Sequence, residues 1–179
     1  MKFDFTGKIC AVTGAGAGMG QAISLMLAES GAKAVVMVDL SEKHMAETID
    51  KMKAIGTDYK CVYGDLSQVE FAKKFVEETI ETYGTIDVLV NVAGIVQVNS
   101  LDTITEADFD RTMAINVKAP MFATQVAARK MVEPVSYTHL PGYFHRQSAP
   151  CGAGIRGLCA AGQQPGKCPG GGVPGKGRP

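Results

Sequence analysis

The run Thr13-Gly14-Ala15-Gly16-Ala17-Gly18-Met19-Gly20 carries the chemistry most easily named in this chain. Glycines let a backbone approach a phosphate, because no Cβ stands in the way and positive φ costs them little. The run lies between an apolar stretch, Lys8 to Val12, and a helical pattern from Met19 to about Glu29. The first free N–H groups of that helix would therefore face the same anion. This context fits a seat for a dinucleotide pyrophosphate, with Gly14, Gly16, Gly18, Met19 and Gly20 as candidate cofactor-binding residues. Asp39 closes the next apolar stretch, where a carboxylate can accept hydrogen bonds from ribose hydroxyls. A 2′-phosphate would meet a like charge there, and neither Ala17 nor the neighbouring candidate Leu40 supplies a base. NAD is the expected cofactor, in preference to NADP.

Spacing narrows the family. The G-x-G-x-x-G fingerprint requires glycine at position 19 or 21, and these are Met19 and Gln21. The pattern T-G-x-x-x-G-x-G does fit, over Thr13, Gly14, Gly18 and Gly20, and in this the chain resembles the short-chain dehydrogenase/reductase family. Asp65 and Leu66 match the pair that borders the adenine in that family. Asn91, Ala93 and Gly94 match its N-N-A-G segment, with Val92 in place of the second asparagine. The resemblance makes Asn116 the candidate catalytic residue: in the family an asparagine here bends its helix and holds a water in a proton relay. It also implies an NAD-dependent oxidoreductase that moves hydride between nicotinamide and a secondary alcohol or ketone. A reductase of 3-oxoacyl thioesters within the same family stays open, as does a non-catalytic nucleotide-binding module.

The family's reaction needs a tyrosine followed four residues later by a lysine, because a neighbouring cation brings the phenol towards neutrality. Tyr59, Tyr63, Tyr83, Tyr137 and Tyr143 are followed at that place by Tyr63, Ser67, Asp87, Pro141 and Gln147. The resemblance spans residues 4 to 133 and stops before the segment that would carry this pair, so the chain as written is expected to be inactive.

Alternating elements must position these residues. Apolar strands are expected at Lys8–Val12, Ala34–Val38, Tyr59–Tyr63 and Ile86–Val90. Between them lie a helix capped by Ser41, with Met45, Ile49, Met52 and Ile55 on one face, and a helix opened by Ser67 and Glu70 as a capping box. The second buries Phe71, Phe75, Val76, Ile80 and Tyr83. Thr105 and Asp108 start a long helix to about Val132, and His44 reads as an exposed helix residue. The fold class is α/β: a Rossmann-like doubly wound parallel sheet, incomplete, with an irregular C-terminal tail.

Composition divides the chain at the same place. Residues 1–133 hold 13 of the 18 basic side chains and all 18 acidic ones; residues 134–179 hold seven of the eight prolines and 11 of the 21 glycines. The tail is read as foreign or frame-shifted: Pro134–Leu140 resembles a junction peptide. Shifting the codons of Pro169 to Pro179 by one base also permits a peptide like the end of a family helix. Five bases without regular aromatics make a poor nucleic-acid arm. Cys151, Cys159 and Cys168 have no C-x-x-C spacing, so no metal is expected. No secretory signal or membrane span is read in the sequence, and a cytoplasmic setting is expected. The expected partner is a small-molecule alcohol or ketone, with no nucleic acid and no membrane. Without a folded tail the fourth strand would be an exposed apolar edge, favouring association; intact relatives are expected to be homo-oligomers.

Overall fold

A computed structural model describes residues 3–98 and 100–132. The expectations for the tail, with its cysteines and His139 and His145, lie outside the described residues.

The elements run β1 (Ile9–Thr13), α1 (Gly18–Glu29), β2 (Ala34–Asp39), α2 (Glu42–Ile55), β3 (Asp58–Tyr63), α3 (Val69–Tyr83), β4 (Val88–Asn91), α4 (Glu106–Met113), a π-helical turn (Ala114–Lys118) and α5 (Ala119–Val132). The four strands form one parallel sheet in the order β3-β2-β1-β4. After β3 the chain returns past β2 and β1 to reach β4, so the strand order reverses beside β1. Open α/β sheets bind ligands at such a reversal, outside the carboxyl ends of the strands.

Side chains alternate between two buried faces, as a parallel sheet covered on both sides requires. Cys10, Val12, Val35 and Met37 point to one face, where Leu27 and Ala28 of α1 and Met45 and Met52 of α2 cover them. Ala11, Val36, Val38 and Val62 point to the other, beneath Phe75 and Val76 of α3 and Ala119, Ala123 and Ala127 of α5. The sheet is doubly wound. Its edge strand β4 is only half-buried at Val88, Leu89 and Val90.

Three local expectations are corrected. Ser41 stands at the N-cap of α2, but its side chain makes no capping hydrogen bond. Ser67 and Glu70 make no capping box: α3 begins at Val69 behind Gln68, and Glu70 lies 3.5 Å from Lys73 instead. The cause is Asp65, whose Oδ1 accepts the Ser67 N–H at 2.8 Å and folds that residue into an Asx turn ahead of the helix. The fourth strand is displaced from Ile86–Val90 to Val88–Asn91. Asp87 explains this, since its Oδ2 accepts the Ile9 N–H at 2.9 Å and replaces a backbone carbonyl at the start of the ladder.

The Thr105–Asp108 capping box does form: the Asp108 N–H donates to Thr105 Oγ1 at 3.2 Å and the Thr105 N–H to Asp108 Oδ2 at 3.1 Å. The helix it opens is continuous to Val132 but widens at Ala114–Lys118, where the Ala119 N–H reaches back to the Ala114 carbonyl. Pro120 gives the physical reason. It has no N–H for the Asn116 carbonyl, and its ring would crowd that oxygen in a regular helix, so the extra residue in the turn relieves both problems.

Candidate functional site

The glycine run leaves β1 as a turn with no space for a side chain at Gly14, Gly16 or Gly20. Gly14 has φ 67°, and a Cβ on it would lie 2.9 Å from the Ala93 Cα. On Gly16 a Cβ would lie 2.6 Å from the His44 carbonyl oxygen, and on Gly20 it would run into the Gly14 carbonyl. What remains is backbone, open to a ligand and close to the start of α1. That helix is preceded by Ala17, which makes no side-chain cap, and its first turn holds no acidic residue. A dinucleotide pyrophosphate fits such a cradle, because its charge meets uncapped N–H groups and no Cβ.

Tertiary contacts fix the turn. The Ala15 N–H donates to the Val38 carbonyl at 3.2 Å, and the Gly16 N–H to Asp39 Oδ2 at 2.8 Å. Thr48, wholly buried on α2, donates its hydroxyl to the Ala15 carbonyl at 2.9 Å, with the Gly16 carbonyl at 3.2 Å, and accepts from Gln21 Nε2 at 2.9 Å. Thr48 and Gln21 lie outside the residues that the glycine pattern and strand ends mark. Their signal was a polar residue midway between Met45 and Met52, on the face of α2 that is otherwise apolar. Thr48→Val keeps the shape and removes the bonds, so it is expected to cost about 1–3 kcal/mol in denaturant unfolding.

A cleft of about 210 Å³ opens along the carboxyl ends of the strands. Of the candidate residues, Gly14, Asp39, Leu40, Asp65, Leu66, Ala93 and Gly94 line it, joined by Gly64, Ile95, Arg111 and Ile115. Gly16, Gly18, Met19 and Gly20 belong to the adjoining turn and helix start, with Met19 exposed. Asn91 is not brought to the cleft; its Nδ2 donates to Thr124 on α5 at 3.3 Å. Asn116 stands behind the wall. Its Oδ1 accepts the Ile95 N–H at 2.9 Å and its Nδ2 donates to the Ile95 carbonyl at 2.7 Å, while a Cβ on Gly94 would lie 3.3 Å from that Oδ1. Thr13 steadies the same segment through its hydroxyl, which accepts the Val92 and Ala93 N–H groups at 3.0 and 3.1 Å.

Two carboxylates stand in the cleft. Asp39 Oδ2 takes the Gly16 N–H, and Oδ1 takes the Leu40 N–H at 2.7 Å with His44 Nδ1 3.5 Å away, which leaves Oδ2 a further lone pair for a ligand hydroxyl. The Ser67 N–H bond, then the Ser67 hydroxyl and the charge of Arg111, hold the Asp65 carboxyl below the usual carboxylate range. Arg111 was not foreseen as a cleft residue. It reaches the site from α4, far along the chain, and a single arginine on a helix face carries no local signal.

A family profile described as short chain dehydrogenase matches residues 8–136. The chain belongs to the short-chain dehydrogenase family. An uncharacterized oxidoreductase of Thermotoga maritima, a relative of this short-chain dehydrogenase, is 41% identical over 128 residues, covering 72% of this chain and 50% of that protein. A putative short-chain alcohol dehydrogenase from Sinorhizobium meliloti superposes with a TM-score of 0.69 at 32% identity, over 74% of this chain and 52% of that one. A short chain dehydrogenase from Burkholderia cenocepacia, in complex with NADP, gives a TM-score of 0.68 at 33% identity, over 72% and 53% respectively. The chain thus spans about half the length of the short-chain dehydrogenases it matches. Among the described residues, no helix is long and apolar enough to cross a membrane.

Proposed function

We propose that this chain binds NAD, in preference to NADP, in the cleft at the carboxyl ends of its strands. The observation that carries the reading is the joining of the Gly14–Gly20 turn to the Asp39 carboxylate, by the Gly16 N–H bond of 2.8 Å. The turn would take the pyrophosphate, with Gly14, Gly16, Gly18, Met19 and Gly20 around it. Asp39 and Leu40 would border the adenosine ribose, and Asp65 and Leu66 the adenine. Ala93 and Gly94 form the opposite wall; Asn91 is assigned the supporting bond to Thr124.

When bound, the nicotinamide supplies a hydride acceptor or donor. In the whole protein the substrate is proposed to be a secondary alcohol or ketone, with a 3-oxoacyl thioester as the alternative, since the residues in hand border the cofactor rather than the substrate. Asn116 contributes by holding Ile95 on both its N–H and its carbonyl, which sets the wall formed by Ala93 and Gly94.

A second reading is favoured by the tyrosines: the chain as written acts as a binding unit without catalysis. None has a lysine four residues on, and burial first of all pushes Tyr63 and Tyr83 up to about 12, away from proton transfer near neutral pH.

Calorimetric titration tests both readings. NAD should bind the purified chain, and Asp39→Ala should weaken it by about tenfold or more, the scale of hydrogen bonds to a charged group. Equal affinity in the variant would remove Asp39 from the ribose site. Appearance of NADH with a secondary alcohol would overturn the non-catalytic reading.

A further inference from the structure

Four hydrogen bonds run head to tail from the exposed Lys51 to the carboxylate beside the glycine turn. Lys51 Nζ on α2 donates to Gln21 Oε1 on α1 at 3.3 Å, and Gln21 Nε2 donates to Thr48 Oγ1 at 2.9 Å. Thr48 in turn donates its hydroxyl to the Ala15 carbonyl at 2.9 Å. The other end of that peptide group, the Gly16 N–H, donates to Asp39 Oδ2 at 2.8 Å.

Every donor in this chain points the same way, and the chemistry of the groups fixes the direction. An ammonium only donates, so the carboxamide oxygen of Gln21 faces Lys51 and its amide nitrogen faces Thr48. A hydroxyl that accepts from Gln21 has its one proton left for the carbonyls of Ala15 and Gly16, the second at 3.2 Å. Thr48 and Ala15 are wholly buried, so these bonds are made away from bulk water. The peptide between Ala15 and Gly16 is planar and trans, so the bond that aims its carbonyl also aims its N–H. Aligned bonds polarise one another as well, here from an ammonium at one end to a carboxylate at the other.

We propose that Thr48 is a positioning residue for the adenosine ribose: through the Ala15–Gly16 peptide it holds Asp39 in the orientation that binds a ribose hydroxyl. The inference rests on the ribose assignment of Asp39 and adds what aims that carboxylate. Asp39 takes two backbone N–H groups, from Gly16 on Oδ2 and from its own neighbour Leu40 on Oδ1. The Leu40 bond travels with the end of β2, so of the two only the Gly16 bond ties the carboxylate to the turn. Without the Thr48 hydroxyl that peptide loses the bond on its carbonyl and tilts about the remaining one, and the carboxylate tilts with it. Lys51 also pairs with Glu47 at 2.7 Å, so it is the weakest link, and the main effect falls on Thr48.

The test reads the worth of one ribose hydroxyl rather than overall affinity. NAD and its analogue lacking the adenosine 2′-hydroxyl would be titrated by calorimetry into the full chain, and the ratio of their dissociation constants taken. The unaltered chain should prefer NAD by about tenfold, the scale of a hydrogen bond to a charged group. Thr48→Val should reduce that preference to about threefold or less, and Thr48→Ser, which keeps the hydroxyl, should retain it. Gln21→Met, at a half-buried position, removes the donor to Thr48 and should lower the preference in the same direction; it carries the test should Thr48→Val not fold. A role confined to stability would weaken both nucleotides alike. An unchanged preference in Thr48→Val, or in Gln21→Met where that variant alone folds, would therefore overturn the proposal, as would a loss in Thr48→Ser equal to that in Thr48→Val. Failure of the underlying reading looks different: there the unaltered chain would show no preference, or Asp39→Ala would keep it in full.

Discussion

Gly20→Ala is expected to abolish measurable NAD binding and to destabilise the fold by about 2–4 kcal/mol. Helix propensity alone argues the other way, since alanine gains about 1 kcal/mol over glycine inside a helix. Packing decides the sign. Gly20 is in the first turn of α1, and its added Cβ would collide with the carbonyl of Gly14 and approach the Ala15 nitrogen at 3.1 Å. Both are backbone, so nothing flexible can yield. Either α1 moves off the turn or the turn leaves β1, and each movement separates the helix N–H groups from the cradle they complete. Denaturant midpoints and NAD titration report the two effects. Gly18→Ala is the control: it meets no heavy atom within 4 Å, though its φ of 54° is strained for alanine. It should cost only about 1–2 kcal/mol. Equal losses in the two variants would refute the steric account.

Phe75→Ala is expected to cost about 3–5 kcal/mol, a fifth or more of the roughly 5–15 kcal/mol that stabilises an ordinary domain. The ring is wholly buried in the α3 and α5 layer, above Val36, Val38 and Val62. Its surroundings explain why the loss should approach the upper end. The face of α5 buried there is Ala119, Ala123 and Ala127, whose short side chains cannot reach into the void. Phe75→Leu, which retains most of the volume, should cost nearer 1 kcal/mol. Thermal unfolding of the three proteins would measure the series, and a Phe75→Ala midpoint no lower than that of Phe75→Leu would contradict the packing argument.

Much of the site was legible in residue order. Glycine spacing separated T-G-x-x-x-G-x-G from G-x-G-x-x-G because the two turns place glycine at different backbone positions, and Asp39 could be located because it ends a strand whose start is obvious. The alternation of apolar runs with helical stripes specified a parallel sheet, and the Thr105–Asp108 cap was visible because both partners lie in one turn. Boundaries set by side chains acting across elements were not legible. Asp87 displaced β4 by bonding Ile9, and Asp65 displaced the start of α3 by taking the Ser67 N–H. Pro120 was in plain view, yet its effect on Ala114–Lys118 depends on a carbonyl one turn back, within a pattern that otherwise reads as unbroken helix.

By itself, then, the sequence located the glycine turn and the carboxylate that stands beside it, since both follow from local conformation and strand ends. Only the tertiary structure decided what surrounds them. The order β3-β2-β1-β4 and the packing of α2 against α1 bring Thr48, His44 and Arg111 to the turn and cleft, and the approach of α5 draws Asn91 away. Contacts of that kind join residues far apart in the chain, and no periodicity or spacing along one element encodes them.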